Sequence, residues 1–536
     1  MTRSTTEFRD AAPRRLLIRL LVPVLVLLGT ACASVSETGG QSFESAASRV
    51  FGIAFLHIRE RYIETVSMEA VALSGMQGLK QVDDTILIKK AAGRVQLLRS
   101  GKPVAVFKAP PRNDVDGWAN LTTALIQASR TYSPALKKAN AEELYKVIFD
   151  AALLRLDRYS RYASAEQARE NRASRSGFVG IGVRIRQDKG VTKIVTVFPE
   201  TPAARAGMKP EDAVLEVDGV PITAMKLRQV VKRLRGPSGS QVRLTVARKS
   251  ASKKLSINII RAHVIATTVF LKIERGIAHI RLTRFNQRTS SELAKAIRQA
   301  RRSAGDDFKG VILDLRNNPG GLLDQAVEVS DMFLTGGRIV STKGRHPGSF
   351  QRYSAGAGDI AKGKPLVVLI NGRSASSSEI VAAALQDLNR AVLVGTNSFG
   401  KGTVQSVFRL PNEGELVLTW SRFHAPSGYT LQDLGVLPTV CTVGLSSNSD
   451  TLVSEIRSGQ HRTAAALSQW RHQRKPTHNR LSRLREVCPG TIRTSAGSAG
   501  KGKRGDRDLA FAKRLINDTA LYSRSLQLSQ TSVAGR

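Results

Sequence analysis

From Gly276 to about Leu445 the chain alternates short apolar runs with stretches of helical period, and this alternation constrains the fold more than any other feature. IAHIRL, GVILDLR, PLVVLI and AVLVGT read as strands, whereas ELAKAIRQARR, LLDQAVEVSDMF and SEIVAAALQDL read as helices. Such a pattern predicts an α/β core with partly parallel pairing. The chain is 536 residues long, which is too much for one ordinary core. Hydrophobic residues at 41% and charged residues at 23% are those of folded domains.

The period changes upstream of the alternation. Between Gly177 and about Arg261, GFVGIGVRIR, KIVTVFP, AVLEVDGVPI and QVRLTVARK have strand character, with short helical pieces at PAARAGM and LRQVVKRLR. Residues 43–175 are mainly helical in pattern, with apolar positions at Phe51, Phe55, Ile58 and Tyr62 and again at Leu144, Val147, Ile148 and Ala151. A strand-like piece, ILIKKAAGRVQLL then KPVAVFKAPP, interrupts them. No chemistry is visible in this region, and the run Arg155–Ser176 reads as a connector. Residues 446–536 carry 17 basic against 6 acidic side chains and few aromatics, and read as a partly helical, partly disordered appendage.

The start of the chain reads as an export signal. Arg3, Arg9, Arg14 and Arg15 precede the apolar stretch Leu16–Leu28, which runs into the small residues GTACAS. Two readings of Cys32 stay open: an acylated lipoprotein cysteine, or the centre of an A-x-A cleavage site. Export would leave Cys441 and Cys488 in an oxidising compartment, either bridged or as two small buried hydrophobes. The net charge of +39 attracts anionic partners. With an export signal and only 5% aromatics, an anionic membrane or cell-wall surface fits that charge better than nucleic acid.

Chemistry concentrates after the strand PLVVLI. Asn371-Gly372-Arg373-Ser374-Ala375-Ser376-Ser377-Ser378-Glu379 is a small-residue turn entering a helix, which presents a hydroxyl beside unpaired N–H groups. None of the eight histidines lies in a Gly- or Ser-rich loop beside a core strand, and G-x-S-x-G is absent. The loop after the next strand, Ser398-Phe399-Gly400-Lys401-Gly402-Thr403-Val404-Gln405, instead holds a lysine between glycines. Burial can lower a lysine pKa far enough for it to serve as a base. Asn317-Asn318-Pro319-Gly320-Gly321 follows the strand VILDL and precedes a helix, so the N–H of Gly320 or Gly321, with that of Ser377, could form an oxyanion hole. No metal-ligand cluster or phosphate loop is present in the sequence, and neither a metal nor a cofactor is expected.

These motifs together resemble the C-terminal processing peptidases, or tail-specific proteases, from about Phe51 to Leu445. The resemblance rests on GVILDLRNNPGGLL, S-A-S-x-S-E, RAVLVGTNSFGKGTVQS and SRFHAPSGYTLQDLGVLP. It implies a serine peptidase with a Ser/Lys dyad, whose nucleophile twenty-five residues before Lys401 falls on Ser376 and whose lysine-orienting glutamine falls on Gln405. Residues 177–262 resemble a PDZ domain through GFVGIG and TPAARAGMKPEDAVLEVDG. That likeness implies that Gly180, Ile181 and Gly182 capture a substrate's C-terminal carboxylate.

The expected architecture is a multidomain α+β chain. It comprises a signal (1–33), a helical N-terminal region (43–175), a PDZ-like β-rich domain (177–262), an α/β, crotonase/Clp-protease-like catalytic core (263–445) and a basic C-terminal tail (446–536). Protein or peptide substrates held by their C-termini are the expected partners, and the resemblance also suggests a homo-oligomer through the helical region. The alternative is a noncatalytic, membrane-associated PDZ adaptor or regulated pseudo-peptidase.

Overall fold

The computed structural model describes residues 43–188, 190–356, 358–444, 449–472, 477–490 and 506–530. The expected export signal and Cys32 lie outside the described residues. Among those residues, no helix is long and apolar enough to cross a membrane.

In the N-terminal region, helices Phe43–Arg61, Met68–Met76, Val115–Tyr132 and Ala141–Leu154 bury Phe51, Phe55, Ile58, Trp118 and Phe149 in one core. The helical spacing that marked Phe51, Phe55 and Ile58 in the sequence puts all three on the buried face. The strand-like piece forms an antiparallel meander of Ile86–Ala91, Arg94–Arg99 and Lys102–Lys108. Leu410, Leu416 and Leu418, far along the chain, complete the same core.

The β-rich unit is an antiparallel sheet in the order Leu255–Ile260, Gln241–Ala247, Ala213–Val217, Val191–Val197, Val183–Asp188. Val242, Leu244 and Val246 alternate with more exposed neighbours and pack with Ile194, Val214 and Val230. A separate two-stranded ladder of Phe178–Gly180 with Ala262–Val264 closes the ends of this unit.

The central sheet runs Val269–Glu274, Ile277–Leu282, Gly310–Asp314, Leu366–Ile370, Val392–Gly395, Val440–Cys441. Its first pair is antiparallel and the rest are parallel. Every residue of GVILD, LVVLI and VLVG is buried, so the sheet needs cover on both faces. Helices Thr289–Ala304, Leu323–Asp331 and Ser377–Asp387 cover one face.

The other face is closed by the C-terminal residues, which corrects the expectation of an appendage. Leu452, Val453, Ile456, Phe511, Leu515, Ile516 and Leu521 pack on Ile312, Val367, Leu369, Val392 and Val394. Trp470, Leu484 and Cys488 join the core on the first side. Arg471 also meets Asp387, at the end of Ser377–Asp387, with an N–O distance of 3.0 Å. A disulfide joins Cys441, in the last strand of the sheet, to Cys488.

The run Arg155–Ser176 is likewise no mere connector. Arg161–Ala163 pairs with Glu415–His424, and Arg172 and Arg175 both bind the buried Glu415 carboxylate at 3.0 and 2.8 Å. It joins the sheet that also contains Thr403–Arg409 and Arg338–Lys343.

Candidate active site

Three neighbouring parallel strands, Gly310–Asp314, Leu366–Ile370 and Val392–Gly395, each end in one of the loops singled out in the sequence. The carboxyl ends of such strands form the crevice in which open α/β sheets place their chemistry. The glycine loop, the serine turn and the lysine loop therefore meet because of strand order.

In the serine turn, backbone strain marks one residue. Ser376 has φ +56° and ψ −114°, a conformation an ordinary side chain adopts only when its surroundings impose it. The hydroxyls of its neighbours are committed. Ser374 Oγ donates to the Leu315 carbonyl (2.8 Å), Ser377 Oγ to that of Gly321 (3.0 Å) and Ser378 Oγ to that of Asn318 (2.9 Å). Ser376 Oγ alone of the four donates no hydrogen bond among the described residues.

Glu379 ties the serine turn to the lysine loop, a role the sequence reading missed. Its fully buried carboxylate accepts the Ser376 N–H (2.7 Å) and Lys401 N–H (2.9 Å) on one oxygen. The other oxygen accepts the Gly400 N–H (2.6 Å) and Ser398 Oγ (2.5 Å). Burial pushes its pKa up, and these four donors pull it back. The available signal was the S-x-x-E spacing from Ser376 to Glu379, the pattern of a capping box.

Lys401 is partly buried, and its Nζ makes no hydrogen bond or ion pair among the described residues. Burial pushes its pKa below the ordinary lysine value and the Arg161 guanidinium adds to this, while Glu379 and Asp157 oppose it. Nζ lies 5.4 Å from the centre of the Tyr159 ring. Tyr159 comes from the supposed connector, in a turn where Asp157 Oδ1 accepts the N–H groups of Tyr159 and Ser160. Ser376 and Lys401 are thus brought to one crevice without a hydrogen bond between their side chains. Gln405, expected to orient Lys401, instead donates to Thr403 Oγ1 at 2.7 Å, beside a break in strand register between Val404 and Gln405.

The glycine loop is fastened to the serine turn by buried Asn318, whose carbonyl accepts the Ala375 N–H (3.0 Å). Asn318 Oδ1 accepts the Gly320 N–H (2.9 Å), so that donor is already used. The N–H groups of Gly321 and Ser377 make no hydrogen bond among the described residues. A Cβ on Gly320 would stand 2.8 Å from Ser376 Cβ and 2.9 Å from Ser377 N, so the approach requires glycine.

In the β-rich unit, Gly180, Ile181 and Gly182 line a groove of about 320 Å³, with Phe178, Phe198 and Val231 among its walls. Gly182 has φ +86°, and a Cβ there would lie 2.3 Å from Thr201. The Ile181 side chain is buried in the unit's core, and its carbonyl accepts the Ala203 N–H (2.8 Å). What Ile181 can offer the groove is therefore backbone.

Residues 276–442 match the sequence profile of Peptidase family S41, and residues 193–248 match that of the PDZ domain. The chain is 42% identical over 301 residues to a carboxy-terminal-processing protease of Bartonella bacilliformis, covering 56% of this chain and 69% of that protein. It is 34% identical over 304 residues to a carboxyl-terminal-processing protease of a Picosynechococcus species, covering 55% and 72%. Among solved structures, a photosystem II D1 C-terminal processing protease matches with 24% identity and a TM-score of 0.37, over 73% of this chain and 92% of that one.

Proposed function

The chain belongs to peptidase family S41, the carboxy-terminal-processing proteases, and from that premise we propose that Ser376 and Lys401 form its catalytic dyad and that its PDZ domain receives the substrate's C-terminal tail. The observation that best supports Ser376 is its strained backbone together with a hydroxyl that, alone among the four serines of the turn, donates no hydrogen bond among the described residues.

Neutral Lys401 removes the Ser376 Oγ proton as the oxygen attacks a peptide carbonyl near the substrate's C-terminus. The resulting oxyanion accepts the N–H groups of Gly321 and Ser377, each such donor contributing about 3–4 kcal/mol in comparable hydrolases. Lys401, now an ammonium, returns its proton to the departing amine. Water then attacks the Ser376 ester with Lys401 again as base, releasing the acid and restoring the free hydroxyl. The Ser376–Lys401 hydrogen bond forms when substrate fills the crevice, since catalytic hydrogen bonds are commonly long before substrate binds.

The tail adds a strand along the PDZ groove, and its carboxylate meets backbone N–H groups at Gly180–Gly182. Apolar walls at Phe178, Phe198 and Val231 favour a nonpolar last residue. The chain acts in an exported, oxidising compartment, a reading supported by the basic-then-apolar start and by the Cys441–Cys488 disulfide.

The test is cleavage of a denatured model protein with a nonpolar C-terminus by wild type, Ser376→Ala and Lys401→Ala, read by intact mass. Cutting by wild type alone is expected. Undiminished cutting by either variant would remove that residue from the dyad.

A further inference from the structure

We propose that Arg485 is a positioning residue for Lys401, and that the Cys441–Cys488 disulfide holds Arg485 in place, so that the C-terminal extension is a working part of the active site. This inference rests on the assignment of Lys401 as the base.

The lysine loop, residues 397–401, has no helix or strand geometry of its own and takes its shape from what grips it. Glu379 holds it from inside the core. Its other side is held by residues beyond the S41 match. Arg485 Nη2 donates to the Ser398 carbonyl (3.1 Å), while Nη1 donates to the carbonyls of Asp433 (3.1 Å) and Leu434 (2.8 Å). One guanidinium therefore spans the lysine loop and the loop at 433–434. Those two loops also meet directly, through the Asp433 N–H on the Gly400 carbonyl (2.9 Å).

Arg485 forms no ion pair among the described residues, and its fork is directed at backbone carbonyls. A lysine ammonium is a compact point charge without that planar fork. The contact is close enough that a Cβ on Gly400 would stand 3.2 Å from Nη1.

Three residues further on, the Cys488 carbonyl accepts the Asn397 N–H (3.3 Å), and a Cβ on Gly490 would lie 2.7 Å from the Asn397 carbonyl oxygen. The extension thus grips both residue 397 and residue 398. Cys488 is bonded to Cys441, whose strand pairs with Val392–Gly395, the strand that leads into the lysine loop. The disulfide therefore ties the end of helix His478–Glu486 to the sheet that carries Lys401. Without it, Arg485 would be placed by side-chain packing and hydrogen bonds alone. A misplacement of 1 Å at a catalytic group can lower a rate by about 100-fold.

The test uses the full oxidised chain and a peptide substrate, with kcat and KM measured well below the melting temperature. Arg485→Met and Arg485→Lys should each lower kcat by about 10- to 100-fold. KM and the affinity of the PDZ groove for a C-terminal peptide should stay within about twofold, a split that general loosening would not give. Reduction of the disulfide, verified by thiol trapping, should lower kcat in wild type and add little to Arg485→Met, because both act through one contact.

Wild-type kcat in Arg485→Met, beside an inactive Lys401→Ala, would overturn this inference and leave the dyad standing. Full activity in Lys401→Ala would overturn both. Equal losses on reduction in wild type and Arg485→Met would sever the disulfide from Arg485.

Discussion

Replacing Glu379 by glutamine tests whether one buried carboxylate holds the nucleophile turn and the base loop together. Glutamine keeps the volume, but its side chain has only one oxygen. If that oxygen stays on the Ser376 and Lys401 N–H groups, the amide NH₂ faces Ser398 Oγ and the Gly400 N–H. The serine hydroxyl can rotate and accept, but the Gly400 N–H then confronts another donor. A buried donor left unsatisfied costs about 1–3 kcal/mol, and weakening of the remaining charge-assisted bonds brings the total to about 2–4 kcal/mol. That energy is lost from the closed state of residues 398–401. Amide hydrogen exchange at Gly400 and Lys401 should therefore speed up by about 30- to 1,000-fold, since each 1.36 kcal/mol is a factor of ten. Proteolysis should fall with it. Protection within threefold of wild type, together with unchanged kcat, would refute the clamp.

Other perturbations separate the remaining parts. Lys401 must be neutral to act, so kcat should fall as pH drops through its lowered pKa. Between that value and the ordinary one the unfolded chain holds more proton at Lys401 than the native chain does. The Lys401 contribution to stability should therefore rise with pH in that window by at most about 1.4 kcal/mol per pH unit, read by chemical denaturation as the difference in slope between wild type and Lys401→Met. Tyr159→Ala should admit water to Nζ and move the acid limb of the rate profile to higher pH, whereas Tyr159→Phe should leave it in place. Val231→Glu should weaken binding of a nonpolar C-terminal peptide by tenfold or more in calorimetry, without affecting cleavage of a short substrate that bypasses the groove. Deleting residues 450–536 would bare Ile312, Val367, Leu369, Val392 and Val394. At about 1.5–3 kcal/mol per buried side chain this rivals the whole stability of a domain, so the shortened chain should be insoluble on expression.

What was legible in the sequence follows the range over which each signal acts. Strand alternation and helical period are local, and they led to the α/β core, the β-rich unit and the buried face carrying Phe51, Phe55 and Ile58. The serine turn and the lysine loop were legible because each lies between a strand and the element after it. Tyr159 and Arg485 act on the lysine loop from hundreds and tens of residues away, and no periodicity marks either. Glu379 was visible as a capping-box residue, yet that spacing fits any helix start, and only burial among four donors shows what it holds. The tail misled because its overall charge outweighed its amphipathic pattern. The buried pair Phe511-Ala512 recurs four residues on as Leu515-Ile516 along one face, between exposed or partly exposed neighbours. The strands themselves demanded a second layer. GVILD, LVVLI and VLVG leave no polar face, so a sheet made from them must be covered on both sides, and the helices between the strands of 276–445 cover mainly one. The missing layer had to come from elsewhere in the chain. The same requirement explains why the extension reaches the site: residues that close the sheet's second face and are bonded to its last strand end beside the loops at its carboxyl edge. There Asp506, at the start of Arg507–Asn517, meets Arg316 of the glycine loop at 2.7 Å, while Arg485 meets the lysine loop.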